Sequence, residues 1–461
     1  MSIIAAYIVP HPPLIVPEVG GGQEKKIQNT IDSYHRIARE IGELKPETVV
    51  VITPHSIMYQ DYIHVSPGSS ARGDLLKFGD NKTRIQVSYD SELVSLIEEL
   101  AAEEGISAGT LGERDKKLDH GTIVPLFFIG QYLQDHRVVR VSISGLSPRE
   151  HYRFGKCIKA AAERLSRRTV IVASGDLSHR LIEEGPYSFA EEGPAFDKLV
   201  TEAMAAGDFL TFMQFEEGFA EAAGECGLRS FIIMAGTLDG MSVDSELLSY
   251  EGPFGVGYAV AAFYPGESED ARRIDVLYEE EGKMEREQIR AEEDEYVSLA
   301  RLSLESYVRG RKYIERPPGL SKELTKQRAG VFVSLKKEGR LRGCIGTISP
   351  VEDSIADEII RNAVSAGTGD PRFDPVTEDE LSELIYSVDV LGDPEPIQSM
   401  EELDVVRYGV IVSRGRKRGL LLPNLEGVTT PEQQVEIALK KAGISPHEDY
   451  QMERFEVVRH K

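Results

Sequence analysis

The chain has 461 residues, 41% of them hydrophobic and 28% charged, a balance that excludes wholesale disorder and fibrous repeats and, at this length, indicates two domains. Its 53 Lys and Arg stand against 77 Asp and Glu, and the net charge of −24 repels nucleic-acid phosphates and anionic membranes, so neither is expected as a partner. No stretch reaches the ~20 uninterrupted apolar residues that cross a bilayer. The start MSIIAAYIVPHPPLIVP has no basic n-region, and Cys157, Cys226 and Cys344 form no CxxC pair; a cytoplasmic location without disulfides is expected.

In chain order, short β-branched runs alternate with helical patterns from residue 1 to about 264, which predicts an α/β domain on a largely parallel or mixed sheet. Strands are expected at Ile3–Val9, Thr48–Thr53, Val138–Ser144 and Thr169–Ser174, each suited to burial on both faces. Crossover helices are expected at Lys25–Leu44, Ser91–Glu104, Arg149–Ser166 and Ala195–Ala206, with a closing strand pair in Leu247–Tyr264. A charged run over Gly266–Glu295 marks the boundary: one domain over 1–266, a linker over 267–290 and a second domain over 291–461. Tyr296, Leu299, Leu302, Leu304 and Tyr307 recur at helical spacing before Pro317-Pro318. Beyond lie a hairpin Val331–Ile348, a helix Ile355–Ala366, a strand Leu384–Leu391, a hairpin Val410–Leu422, a helix Glu432–Ala442 and a last strand near Phe455–Val458, the texture of a smaller α+β domain.

Four of the ten histidines fall at the carboxyl ends of expected strands or at helix starts, where α/β folds keep their ligand sites. His11 sits in VPHPPL, held by Pro10, Pro12 and Pro13; His55 sits in TPHS, His120 in DHGTIVPL and His179 in SGDLSH. Two neutral imidazoles from neighbouring strand ends are a natural first pair of ligands for Fe(II), Zn or Cu. Asp119 and Asp176 precede pocket histidines and could orient them, or simply cap a helix or turn. Arg229 is a candidate for a substrate carboxylate, with a surface salt bridge as the plain alternative. Gly20-Gly21-Gly22 lacks the Lys-Ser/Thr of a phosphate loop. His35, His64, His136, His151, His447 and His460 receive no role.

Taken in this order, VPHPPL, TPHS, DHGTIVPL and SGDLSH resemble the class III extradiol dioxygenases (LigB-like) and Memo-like proteins over about residues 4–264. The resemblance implies a metal held by His11 and His55, a pocket lined by His120 and His179, and His179 as general acid/base. It implies one divalent metal, Fe(II) first with Cu or Zn as alternatives, and a ring-cleaving type of oxidoreduction on a small diol or aromatic substrate. A third ligand is expected from GECGLRS. Glu225 would complete a 2-His-1-carboxylate triad and Cys226 a softer site; neighbouring helical residues point about 100° apart, so one of the two reaches the metal.

In the second domain LRGCIGTI (Leu341–Ile348), with AGVFVSL before it and DPRFDPV and RGLLLP after it, resembles the AMMECR family over roughly 290–461. Gly343 and Gly346 are expected to allow a tight bend beside a cleft flanked by Arg342 and Cys344. Cys344 would be a nucleophile if a cation lowered its pKa; a buried structural role outweighs this. The pairing of such domains with radical-SAM proteins implies the alternative function, a metal- or redox-associated accessory module serving a radical-SAM partner without dioxygenase activity. A homo-oligomer stays open.

Overall fold

The computed structural model describes residues 2–185, 187–425 and 427–461, and the chain divides into two units, Met1–Glu280 and Glu281–Lys461. Among the described residues no helix is long and apolar enough to cross a membrane.

In the first unit the apolar runs become strands because each must bury both faces, which only a central layer allows. β1 (Ile3–Val9), β2 (Thr48–Thr53), β3 (Arg137–Ser142) and β4 (Thr169–Ser174) run parallel; β5 (Met241–Glu251) and β6 (Tyr258–Ser268) add an antiparallel pair. Their order across the sheet is β3-β2-β4-β1-β6-β5. Alternation sends Ala6, Ile8, Val50, Ile52, Ile171 and Ala173 to one face, and Ala5, Tyr7, Val49, Val51, Val170 and Val172 to the other.

Four helices, α2 (Ser91–Glu103), α4 (Pro148–Arg164), α5 (Glu192–Ala206) and α6 (Leu228–Gly236), give Ile97, Ile158, Phe196 and Phe231 to the first face. The second face receives Tyr34 and Ile37 from α1 (Gln28–Leu44), and Ile123 and Val124 from α3 (His120–Ile129). Register pairs Ile52 with Ala173 and Val9 with Ser174, so β2, β4 and β1 end level with one another. That carboxyl edge is where open α/β sheets bind ligands.

The charged run between the domains is helical: α7 (Ile274–Glu292) carries an i,i+4 pair of Lys283 with Glu287 at 3.9 Å, and long straight side chains suit a solvated helix. Asp294 then caps α8 (Glu295–Gly310), its carboxylate accepting from the N–H of Tyr296 and of Val297. The second unit is built on an antiparallel sheet of β7 (Val331–Lys337), β8 (Arg340–Gly346), β9 (Leu384–Leu391), β10 (Glu395–Ile397), β11 (Tyr408–Arg414), β12 (Lys417–Leu421) and β13 (Gln451–His460). The order is β8-β7-β9-β13-β11-β12, with β10 against β13. α8 and α9 (Ile355–Thr368) cover β7 and β9, while α10 (Pro431–Ala442) covers β11 and β12.

Candidate metal centre

His11 lies two residues beyond the end of β1, after Pro10, and is 1% exposed. Its position is fixed from three sides: Tyr34 donates its hydroxyl to Pro10 O, the His11 N–H donates to Asp176 Oδ1 at 2.8 Å, and Nδ1 lies 2.9 Å from Ser174 Oγ. The Ser174 hydroxyl proton goes to Gly121 O at 2.6 Å. Gly121 O is free to accept it because the residue four positions on is Pro125, which has no N–H to close the helical bond. Ser174 Oγ therefore accepts from His11 Nδ1–H, and the tautomer leaves a lone pair on His11 Nε2.

That lone pair points at another imidazole. His55, on the turn after β2, brings its Nε2 to 2.9 Å from His11 Nε2. Cys226, from the turn before α6, brings Sγ to 3.6 Å from the same His11 atom, and its sulfur accepts from Asp176 N–H at 3.3 Å. One donor atom from each of His11, His55 and Cys226 lies within 4.8 Å of the others. His120 stacks on His55 with ring centroids 4.1 Å apart and meets Phe78 edgewise at 5.2 Å. His179, after β4, stacks on Tyr187 at 5.2 Å, and its buried Nε2 has no hydrogen-bond partner among the described residues.

Burial holds all four imidazoles neutral, reinforced by neighbouring rings at His11, His55 and His179 and opposed by the Asp119 charge at His55 and His120: His11 falls well below the usual histidine range, His55 and His179 to about 4, and His120 also shifts down. Burial likewise pushes the Cys226 thiol up, with Asp176 and Glu225 adding to it, and raises Asp176 to about 7 against the pull of the His11 N–H. The site is thus a set of neutral donors crowded nitrogen to nitrogen in a place that resists losing protons. A bound cation relieves both conditions, turning the crowding into coordination and favouring the thiolate. The donor set fits a metal ion.

Two expected residues are not brought to this cluster. Glu225 turns the other way, its Oε2 accepting from Leu228 N–H at 2.7 Å, so it caps the start of α6 rather than joining the donors; burial lifts it to about 7. Arg229 pairs with Glu217 at 2.9 Å, the plain alternative for that residue. Asp119 caps α3 through Thr122 N–H at 3.0 Å and accepts from Thr53 Oγ1 at 2.7 Å, while Thr53 Oγ1 accepts from the backbone N–H of His55 at 3.2 Å; its carboxylate thus connects to the His55 backbone through that threonine and acts on the His55 ring through its charge. Asp176 accepts from the backbone N–H of His11 through Oδ1, and its Oδ2 lies 4.0 Å from His11 Nε2.

Other residues that build the site gave no signal in the sequence. Ser178 N–H donates to Asp197 at 2.8 Å, Tyr250 donates to the same carboxylate at 2.7 Å, and Ser178 Oγ donates to Ala223 O at 2.8 Å. Together they tie the His179 segment to the chain entering Cys226.

The sequence profile described as the catalytic LigB subunit of aromatic ring-opening dioxygenase matches residues 5–261. This chain belongs to that family. The AMMECR1 profile matches residues 297–460, so a LigB domain is followed by an AMMECR1 domain. A protein of Clostridium acetobutylicum is 46% identical over 469 residues, covering 100% of both chains. One from Thermotoga maritima is 50% identical over 171 residues, 37% of this chain and 98% of its own. Among solved structures, an uncharacterized protein of Pyrococcus horikoshii is 33% identical, covers 36% of this chain and 88% of its own, and has a TM-score of 0.34. One from Escherichia coli K12 is 18% identical, covers 56% and 99%, and has a TM-score of 0.40. The LigB family usually uses a metal, in keeping with the His/His/Cys cluster.

In the AMMECR1 domain Arg342 spends its guanidinium on Glu380, at 2.9 and 3.0 Å, and on Asp374 O at 3.0 Å. Cys344 accepts from Ser334 Oγ at 3.2 Å, its N–H donates to Asp370 at 2.9 Å, and burial pushes its thiol up, the reverse of an activated nucleophile. Gly343 and Gly346 both lie in β8 without positive φ, and the irregularity of that strand is a register shift at Arg342, beside Gly343. Close packing is what requires glycine there, since a Cβ would stand 2.2 Å from Ala366 O at Gly343 and 2.2 Å from the Phe332 ring at Gly346.

Proposed function

We propose that the LigB domain holds one metal ion on His11, His55 and Cys226 and performs an oxidoreductase reaction in which dioxygen is the oxidant of a small diol of aromatic type, with His179 as the acid–base group. One observation carries this reading: the donor atoms of those three residues, from segments far apart in the chain, lie within 4.8 Å of one another. When bound, the metal supplies Lewis acidity and, if iron or copper, electrons. His179 Nε2, neutral and without a hydrogen-bond partner among the described residues, takes the proton of a substrate hydroxyl and later returns it; the negative charge left on the diol offsets the imidazolium. His120, stacked on His55, holds a second substrate oxygen.

A His₂Cys set is softer than the 2-His-1-carboxylate set of non-haem iron oxygenases, so copper is favoured for the oxidoreductase reaction over the ferrous iron that Glu225 would have served, while zinc, which has no redox chemistry, would serve only a non-oxidative role. The same thiol favours a second reading, an accessory metal module serving a radical-SAM partner protein without dioxygenase activity. Anaerobic purification with metal analysis, followed by oxygen uptake on a panel of catechols, separates the two. Cys226→Ala is expected to lose the metal and Glu225→Ala to keep it; the opposite pattern overturns the ligand set. A metal-loaded protein that consumes no oxygen with any catechol supports the accessory reading.

A further inference from the structure

Arg140 stands on β3 and is 1% exposed, an expensive place for a guanidinium unless its donors are all used. Its Nε donates to Ser66 Oγ at 2.6 Å, Nη1 to Lys117 O at 2.6 Å and Nη2 to Asp115 O at 3.4 Å; Glu113 and Asp119 carboxylates lie 3.6 and 3.7 Å away. Four of these five partners lie in the irregular stretch 113–119 that leads straight into α3. The first turn of α3 touches both histidine ligands. Asp119 reaches His55 through Thr53, and Gly121 O reaches His11 through Ser174. The turn lies so close to β2 that a Cβ on Gly121 would stand 2.4 Å from Thr53 Oγ1.

We infer that Arg140 is a positioning residue for the metal centre, anchoring the first turn of α3 so that this one turn sets the orientation of both His11 and His55. The inference rests on the proposed ligand set, and it assigns the tuning of that set to a side chain that touches none of its donors. Orienting contacts of this kind are worth 10- to 100-fold in metal affinity where they have been removed.

Cobalt(II) titration of the full chain, followed by its ligand-field and thiolate charge-transfer bands, tests the inference without any turnover. Thr53→Val keeps the side chain's shape and removes the relay hydroxyl; it is expected to weaken cobalt binding about tenfold or more and to shift the bands, with little change in the apo melting temperature. Arg140→Met is expected to act in the same sense and Arg140→Lys to recover part of the loss. The double variant should bind no worse than the weaker single one, because both act through Asp119. Should Arg140→Met fail to fold, Thr53→Val decides alone. Folded variants that bind as tightly as wild type with unchanged bands, or losses that add in full, overturn this inference and leave the ligand set standing. A wild-type protein that takes up no cobalt overturns both.

Discussion

Asp197 is 1% exposed and accepts from Ser178 N–H and Tyr250 O–H, yet burial outweighs these bonds and raises its pKa from 3.8 to about 6. Because the folded form keeps its proton to higher pH than the unfolded chain, the stability linked to this group is complete below the unfolded value. It is lost as pH rises through about 6, on the order of 2 to 3 kcal/mol. Asp197→Asn keeps an oxygen for Ser178 and removes the titration, so its melting temperature should exceed that of wild type near pH 7.5. The difference should close near pH 4; melts that run parallel at both values would count against the account. At the neighbouring His179, replacement by Ala is expected to lower turnover about 10²- to 10⁴-fold with metal content unchanged, read by paired rate and metal measurements. His11, His55, His120 and His179 were legible as a set because each stands at the end of an apolar strand run or at the start of a helix and because their motifs come in a family order. The choice between Glu225 and Cys226 was not legible. Adjacent residues differ by one rotation, and that rotation is set by the turn at Gly224, with φ of +68°, and by the N–H of Leu228, which captures the carboxylate. Ser174, Thr53 and Asp197 were silent because their contacts reach across strands and helices and leave no spacing to read.

Helices α4 and α6 meet through glycines: a Cβ at Gly236 would stand 2.0 Å from Tyr152 O, and one at Gly155 2.1 Å from Ile233 O. Neither neighbour is a flexible tip, so Gly236→Ala should cost roughly 1 to 3 kcal/mol, measured by denaturant melts; a neutral result would mean that the two helices slide apart cheaply. Because α6 begins two residues after Cys226, the same shift should loosen the donor cluster. Elements made of β-branched runs were the easiest to read: Ile3–Val9, Thr48–Thr53, Thr169–Ser174 and Leu384–Leu391 have the expected bounds. Helix starts drifted where polar residues form a preliminary turn, as at Gln23–Ile27 ahead of α1. α3 was not among the expected helices, although Asp119 was weighed as a cap. HGTIVPLFFI is apolar on all sides and holds a proline, so it has no helical stripe to detect, and it forms a helix because the sheet's second face needs covering.

At the scale of the whole molecule, the LigB domain and the AMMECR1 domain each carry their own apolar cores. Calorimetry with cobalt or zinc added should therefore raise the LigB transition, by about 2.7 kcal/mol at a hundredfold excess over Kd, and leave the AMMECR1 transition in place. A shift of both, or of the AMMECR1 transition alone, would put the metal elsewhere. The two-domain plan was legible from length and from the change of texture along the chain. That the charged run itself is helical was half visible, since charges on long side chains read equally as a linker or as a solvated helix face.

His11 and Cys226 are 215 positions apart in the chain, and the cradle that joins them is built by strands, helices and hydrophobic clusters that owe nothing to an ion. Such a centre is a keystone added after the arch is standing, not the seed round which the arch forms. Stripping the ion with a chelator should leave the far-ultraviolet circular dichroism almost untouched, unlike a zinc finger, which collapses when its metal is taken. In turn, any loosening among these remote segments should be announced first by a weakened grip on the ion, long before the domain itself gives way.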